Sequence, residues 1–139
     1  MPIEISPLAG DGVRVKFQGV VNGADLIAAR DVFFRDARDP QNICFAFVDH
    51  SGAESVNYTS GDVEQIAQQD ARLARLIQPG AVIAIVSPDD VTFGISRMWE
   101  GIAGGLGFES RTFRESSAAR DWLRGRVAAK FGIAVPRFE

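Results

Sequence analysis

Two unbroken apolar runs, residues 43–48 (Ile-Cys-Phe-Ala-Phe-Val) and 81–86 (Ala-Val-Ile-Ala-Ile-Val), constrain this chain more than any other feature. Six residues are too few for a helix of ordinary length. With no polar residue to face water, each run reads as a strand covered on both faces, the mark of a parallel sheet between helices. Parallel neighbours need long crossovers, and the flanking sequence supplies them. Residues 24–38 carry Leu26, Ile27, Ala29, Phe33, Phe34 and Ala37 on a stripe and stop at Asp39-Pro40, because proline lacks a donor and biases its predecessor away from helix. Residues 60–77 carry Val63, Ile66, Ala67, Leu73, Ala74 and Ile77, and Thr59 with Asp62 forms a capping-box start. A third helix begins at Asp89, Asp90 and Thr92, carries Ile95, Met98, Trp99, Ile102 and Leu106, and loosens at Gly101, Gly104, Gly105 and Gly107. Ser116 caps a last helix bearing Ala119, Trp122, Leu123, Val127 and Phe131.

The chain opens differently. Ile3 and Ile5, then Val13, Val15 and Phe17, alternate on either side of Ala9-Gly10-Asp11-Gly12, and Asp-Gly between alternating runs signals a hairpin. Residues 108–113 read as a short, polar-rich edge strand. The fold class expected is therefore α/β: an N-terminal β-hairpin followed by three β-α units, in a mixed, mostly parallel sheet with helices packed on it. One domain, 1–139, accounts for the chain, with 126–139 as a helix end and tail.

The 139 residues include one cysteine, Cys44, and one histidine, His50. An internal disulfide and a cysteine-built zinc site are excluded, and no metal or other cofactor is expected. Net charge is −3, with 7 basic and 13 acidic residues up to position 96 and 8 against 5 after it. The later basic residues (Arg111, Arg114, Arg120, Arg124, Arg126, Lys130) are interleaved with Glu115 and Asp121 and read as a solvated face, so nucleic acid is not an expected partner. No apolar run approaches the ~20 residues of a membrane helix, and no leader opens the sequence. A cytoplasmic protein with no integral membrane segment is expected.

Motifs for standard chemistries are missing. Gly19-Val20-Val21-Asn22-Gly23 does not match the dinucleotide fingerprint, and no Gly-Lys-Ser/Thr of a P-loop occurs. Asp49-His50-Ser51 is no hydrolase triad, since neighbours at a strand end point alternately; His50 reads as a partly exposed loop residue. Cys44 lies within a buried strand, where its thiolate is disfavoured. Lys16 and Lys130, the two lysines, fit no receiver-type phospho-aspartate site. The carboxyl ends of parallel strands are where such sheets bind ligands. That edge is expected to gather Asp49, His50, Ser51, Asn57, Tyr58, Thr59, Ser87 and Asp89, facing the positive end of the helix from Ser60. After Ser51-Gly52 a polar loop is expected to run to Thr59.

Residues 48–61 (Val-Asp-His-Ser-Gly-Ala-Glu-Ser-Val-Asn-Tyr-Thr-Ser-Gly) resemble the switch region of anti-sigma-factor antagonists, the STAS fold. In that family a buried strand ends in Asp-x-Ser-Gly, a short loop follows, and Asp-Ser-Ser-Gly opens the next helix. Asp49, Ser51 and Gly52 match the first motif. Thr59, Ser60 and Gly61 match the second, with Tyr58 where the family has aspartate. The order of elements is similar over about residues 3–125. The resemblance implies a STAS-like, stand-alone bacterial regulatory module that binds a protein partner and is not an enzyme. Thr59 stands where the phosphoacceptor does, with Ser60 beside it, and Asp49, His50, Ser51, Asn57, Tyr58 and Gly61 are candidates for partner or anion contact.

The family also resembles the lipid-binding CRAL-TRIO fold, which implies an alternative use: carriage of a small apolar or lipid-like ligand, with Phe33, Phe34, Phe93, Met98 and Trp99 as candidate lining. Val127, Phe131, Ile133, Val135 and Phe138 form an apolar end that predicts a homodimer.

Overall fold

The computed structural model describes residues 2–138. Strand β1 (Ile3–Leu8) turns into β2 (Gly12–Asn22), followed by α1 (Gly23–Asp36), β3 (Phe45–Asn57), α2 (Ser60–Leu76), β4 (Val82–Val86), α3 (Asp90–Gly105), β5 (Glu109–Phe113) and α4 (Ser116–Phe131). The five strands form one sheet in sequence order. β1 and β2 pair antiparallel, and every later neighbour is parallel. The expected α/β architecture is the observed one: a hairpin, then a parallel sheet with helical crossovers. Gly10 and Asp11 both adopt positive φ, 86° and 66°, the backbone that a tight hairpin between right-twisted strands demands.

The two apolar runs lie side by side. Phe45 pairs with Val82 and Val48 with Ile85. Alternation splits their side chains between two layers. Phe45, Phe47, Val82, Ala84 and Val86 meet Ala119, Leu123 and Val127 of α4 on one face. Val15, Phe17, Val48, Ile83 and Ile85 face Leu26 of α1, Ile66 of α2 and Ala103 of α3 on the other. The tail crosses the α4 face: Val135 is buried there and the Phe138 ring packs edge-on to Phe47, 4.9 Å between centroids. The apolar end that predicted a dimer is thus largely covered by its own domain. Arg120, expected on a solvated face, lies 5.1 Å over the Phe47 ring and donates to the Phe138 carbonyl.

The main departure is β3. No polar loop follows Asp49-His50-Ser51-Gly52; the strand runs on to Asn57. The cause is its partner. β2 is eleven residues long, and its second half offers a ladder to 52–57, from Gln18↔Gly52 to Asn22↔Asn57, with one irregularity before it at Phe17 and one within it after Gly19. Backbone groups that would need water in a loop are paired instead. Gly52 is required there, because a Cβ at that position would sit 2.7 Å from the Phe17 carbonyl oxygen.

Candidate functional site

The end of β3 delivers the chain to the N-terminus of α2. Thr59 is the N-cap: its Oγ1 accepts from Asp62 N (3.0 Å), and its own N–H donates to Asp62 Oδ2 (2.9 Å). The capping box read from the sequence is therefore closed in both directions. Thr59, Ser60 and Gly61 are exposed. The start of α1 lies alongside: a Cβ on Gly23 would come within 2.4 Å of the Asp62 Cβ. Two helix N-termini converge on this corner, each with an aspartate, Asp25 or Asp62, in its first turn.

Tyr58 turns the other way. It packs with the α1–α2 core, and desolvation there pushes its hydroxyl up to about 12, so the phenol stays neutral. Asp49 folds its carboxylate back onto Ser51 N (2.9 Å), and Asn57 bonds Ser55 Oγ (3.2 Å). Asp89 caps α3 by accepting from Thr92 N (2.8 Å), and that bond holds its carboxyl below the usual range. These residues are each engaged locally. Of the expected gathering, the structure bonds the side chains of His50 and Ser87 across the two strands.

His50 is the largest correction to the sequence reading. It retains 9% exposure, faces Phe17 at 4.2 Å between ring centroids, and is part of β3 rather than a loop. Its Nδ1 lies 3.0 Å from the Val86 carbonyl and 3.1 Å from Ser87 Oγ. Burial drives its pKa down to about 4, so the ring is neutral at pH 7. Ser87 Oγ also meets Ser96 Oγ at 2.8 Å. Ser87 is wholly buried and no carboxylate bonds the imidazole among the described residues. This Ser-His contact is part of the packing of β4 on α3.

The sequence reading missed a buried polar network. Arg30 of α1 donates through Nη1 to Asp70 Oδ1 (2.8 Å) and through Nε to Gln69 Oε1 (2.5 Å). Trp99 Nε1 of α3 donates to Asp70 Oδ2 (2.9 Å), and Gln69 Nε2 donates to the Ile27 carbonyl (2.9 Å). Asp70 and Gln69 are buried at 2% exposure each. One ion pair therefore ties α1, α2 and α3 together above the sheet. The one signal in the sequence is that Ile66, Gln69 and Asp70 share a helical face at i, i+3 and i+4 spacing.

Between this network and the sheet lies a cavity of about 120 Å³. Apolar groups dominate its wall, among them Phe17, Val48, Ile66 and Ile85, and Arg30, His50, Tyr58, Thr92 and Ser96 also line it. Of the residues expected to line a cavity, only Trp99 borders this one, while Phe33 lines a separate hollow formed by β1, the hairpin turn and α1. Phe33 and Phe34 meet edge to face, Phe93 lies under the Arg114 guanidinium, and Met98 is 76% exposed. Cys44 is buried and its thiol is pushed up by desolvation, although it lies just before β3 and not within the strand as expected. Among the described residues no His/Cys/Asp/Glu group is placed to hold a metal ion, and no helix is long and apolar enough to cross a membrane.

No protein-family model matches the sequence, and no curated protein matches it. Solved structures do match the fold. An uncharacterized protein from the DUF3478 family of Shewanella loihica PV-4, described as having a SpoIIAA-like fold, superposes with a TM-score of 0.58 at 15% identity. That match covers 87% of this chain and 91% of the other. The anti-sigma factor antagonist SpoIIAA in its unphosphorylated form superposes with a TM-score of 0.51 at 12% identity, covering 88% and 98%. The chain has a SpoIIAA-like, STAS-type fold.

Proposed function

We propose that this chain is a small cytoplasmic regulatory module, non-enzymatic, that binds a protein partner through residues 57–61 and the first turn of α2. In this reading 1–139 acts as one domain and Thr59 is the switch residue. The observation that carries it is the exposed Thr59 hydroxyl at the N-cap of α2, in a fold shared with an anti-sigma factor antagonist. A phosphoryl group transferred from ATP to Thr59 Oγ1 would add about −1.5 to −2 charges. The convergent helix ends favour that charge, while Asp62 repels it. Phosphorylation would therefore break the capping box and move the Asp62 carboxylate. The contact surface would change sign and shape without disturbing the sheet.

The test is capture from the native host with wild type, Thr59→Ala and Thr59→Glu as baits, alongside mass spectrometry of the chain after incubation with candidate kinases. A partner held by wild type and Thr59→Ala but lost with Thr59→Glu, and modification at Thr59, are the expected results. Capture indifferent to all three baits, or modification only elsewhere, overturns the reading.

A second reading, carriage of a small ligand, is supported by one observation: the cavity behind Tyr58, with mostly apolar walls and a few polar side chains among them.

A further inference from the structure

We propose that the cavity beneath α1–α3 binds a small uncharged ring molecule carrying a single O–H or N–H donor, which His50 Nε2 accepts. The inference rests on the second reading above and goes further by naming the ligand's chemistry.

The tautomer follows from the partners of the ring. A carbonyl oxygen can only accept, so the 3.0 Å contact with Val86 O requires the proton to be on Nδ1. Ser87 Oγ shares that proton as a second acceptor and gives its own to Ser96 Oγ. Nε2 then carries a bare lone pair. It has no hydrogen-bond partner among the described residues, although His50 is nine-tenths buried. With Nδ1 tied to β4, the opposite edge of the ring is left to the cavity that His50 lines. Nε2 is not sealed among the protein's buried unpartnered atoms; it is an acceptor open to the cavity, and a ligand that brings a donor makes there the hydrogen bond that no protein group makes.

Charge and size narrow the class. Arg30 reaches the cavity, but Asp70 takes its positive charge at 2.8 Å. His50 and Tyr58 are both neutral at pH 7. An anion would find no unpaired cation there, and a cation would find no unpaired carboxylate, so an ion entering the apolar wall would stay uncompensated. A volume of about 120 Å³ is close to the roughly 150 Å³ of an apolar cavity known to take benzene. The space is somewhat smaller than that cavity, so one six-membered ring with a small substituent is its upper limit, and a fatty acyl chain does not fit.

The probes are phenol, toluene and benzoate, titrated calorimetrically into the full chain at pH 7. They share a ring and differ in donor and charge. Phenol is expected to bind about tenfold more tightly than toluene, the value of one added hydrogen bond, and benzoate more weakly than either. The single histidine makes a second readout unambiguous: in ¹⁵N spectra of the imidazole, phenol should shift the Nε2 signal and leave Nδ1 nearly unmoved. His50→Leu should abolish the preference of phenol over toluene. The wild-type ¹⁵N spectrum decides the matter if that variant does not fold. Equal affinity for phenol and toluene with an unmoved Nε2 overturns this inference but leaves ligand carriage standing. Benzoate binding tightest also overturns it. Failure of all three probes to bind overturns both.

Discussion

The two faces of the sheet are held in different ways. On the α4 face, Phe45, Phe47, Val82, Ala84, Leu123 and Val127 are sealed at 0–1% exposure, and the tail closes over them. On the opposite face the strands contribute equally apolar residues, yet α1, α2 and α3 meet them around a cavity and join one another through Arg30, Gln69, Asp70 and Trp99. The first face is sealed by apolar packing, with half-exposed ion pairs from Glu109 to Arg126 and Lys130 beside it. The second depends on one ion pair and on a neutral imidazole. The second face thus combines a cavity with buried polar groups, which the first face lacks.

The sharpest way to break the contrast is to strike each face at its centre. Asp70→Ala leaves the Arg30 guanidinium, 13% exposed, without its counter-charge and Trp99 without its acceptor, and is expected to cost about 3–5 kcal/mol. Leu123→Ala on the α4 face is expected to cost a similar amount, about 2–5 kcal/mol, through cavity formation. The two losses differ in kind. Pairing Asp70→Leu with Arg30→Met should recover most of the first, because the uncompensated charge is gone. Urea unfolding of the single and double variants checks this. A double variant no more stable than Asp70→Ala would mean that the network contributes by shape and not by charge.

How much of this was legible in the sequence follows from the same contrast. The α4 face was readable because its determinants are local: two continuous apolar runs and a helix with Ala119, Leu123 and Val127 at regular spacing. The hairpin and the Thr59–Asp62 capping box were readable for the same reason, each being written within a few consecutive residues. The other face was not. Asp49-His50-Ser51-Gly52 looks like the end of a strand, and only the length of β2, thirty residues earlier, makes β3 continue. His50 reads as a loop residue because nothing near it in sequence reveals Val86 and Ser87 as its partners. Arg30 and Asp70 resemble ordinary surface charges on amphipathic helices until tertiary packing brings them within 2.8 Å.

A smaller effect, but a more selective one, comes from His50. Its ordinary value is 6.5, and burial depresses it to about 4. The unfolded chain therefore binds a proton more readily than the folded one across that interval. Stability from keeping the ring neutral is fully present above about 6.5 and is lost as pH falls toward 4, a difference on the order of 3 kcal/mol. Asp89 and Glu109 have depressed values, so their contribution disappears at lower pH, below the ordinary carboxylate range. Urea midpoints measured from pH 7.5 to 4.5 should decline in wild type and stay nearly level in His50→Asn. A decline that persists in the variant would assign the sensitivity to other groups.

The smallest expected change lies at the corner where the two faces meet solvent. Thr59→Ala removes the acceptor for Asp62 N and leaves the Asp62 carboxylate bonded to the residue-59 N–H. Loss of half a capping box should cost about 1 kcal/mol. Thr59→Ser keeps the hydroxyl and should cost almost nothing. The useful feature of this site is that its structural value is small and its exposure high. A binding defect in Thr59→Glu much larger than its stability defect would then report on the surface and not on the fold. If Thr59→Ala instead destabilised the chain as much as Leu123→Ala, the corner would belong to the structural half of the molecule. Its candidacy as a switch would lose its physical basis, because a group on which folding depends so heavily cannot be modified without unfolding what it regulates.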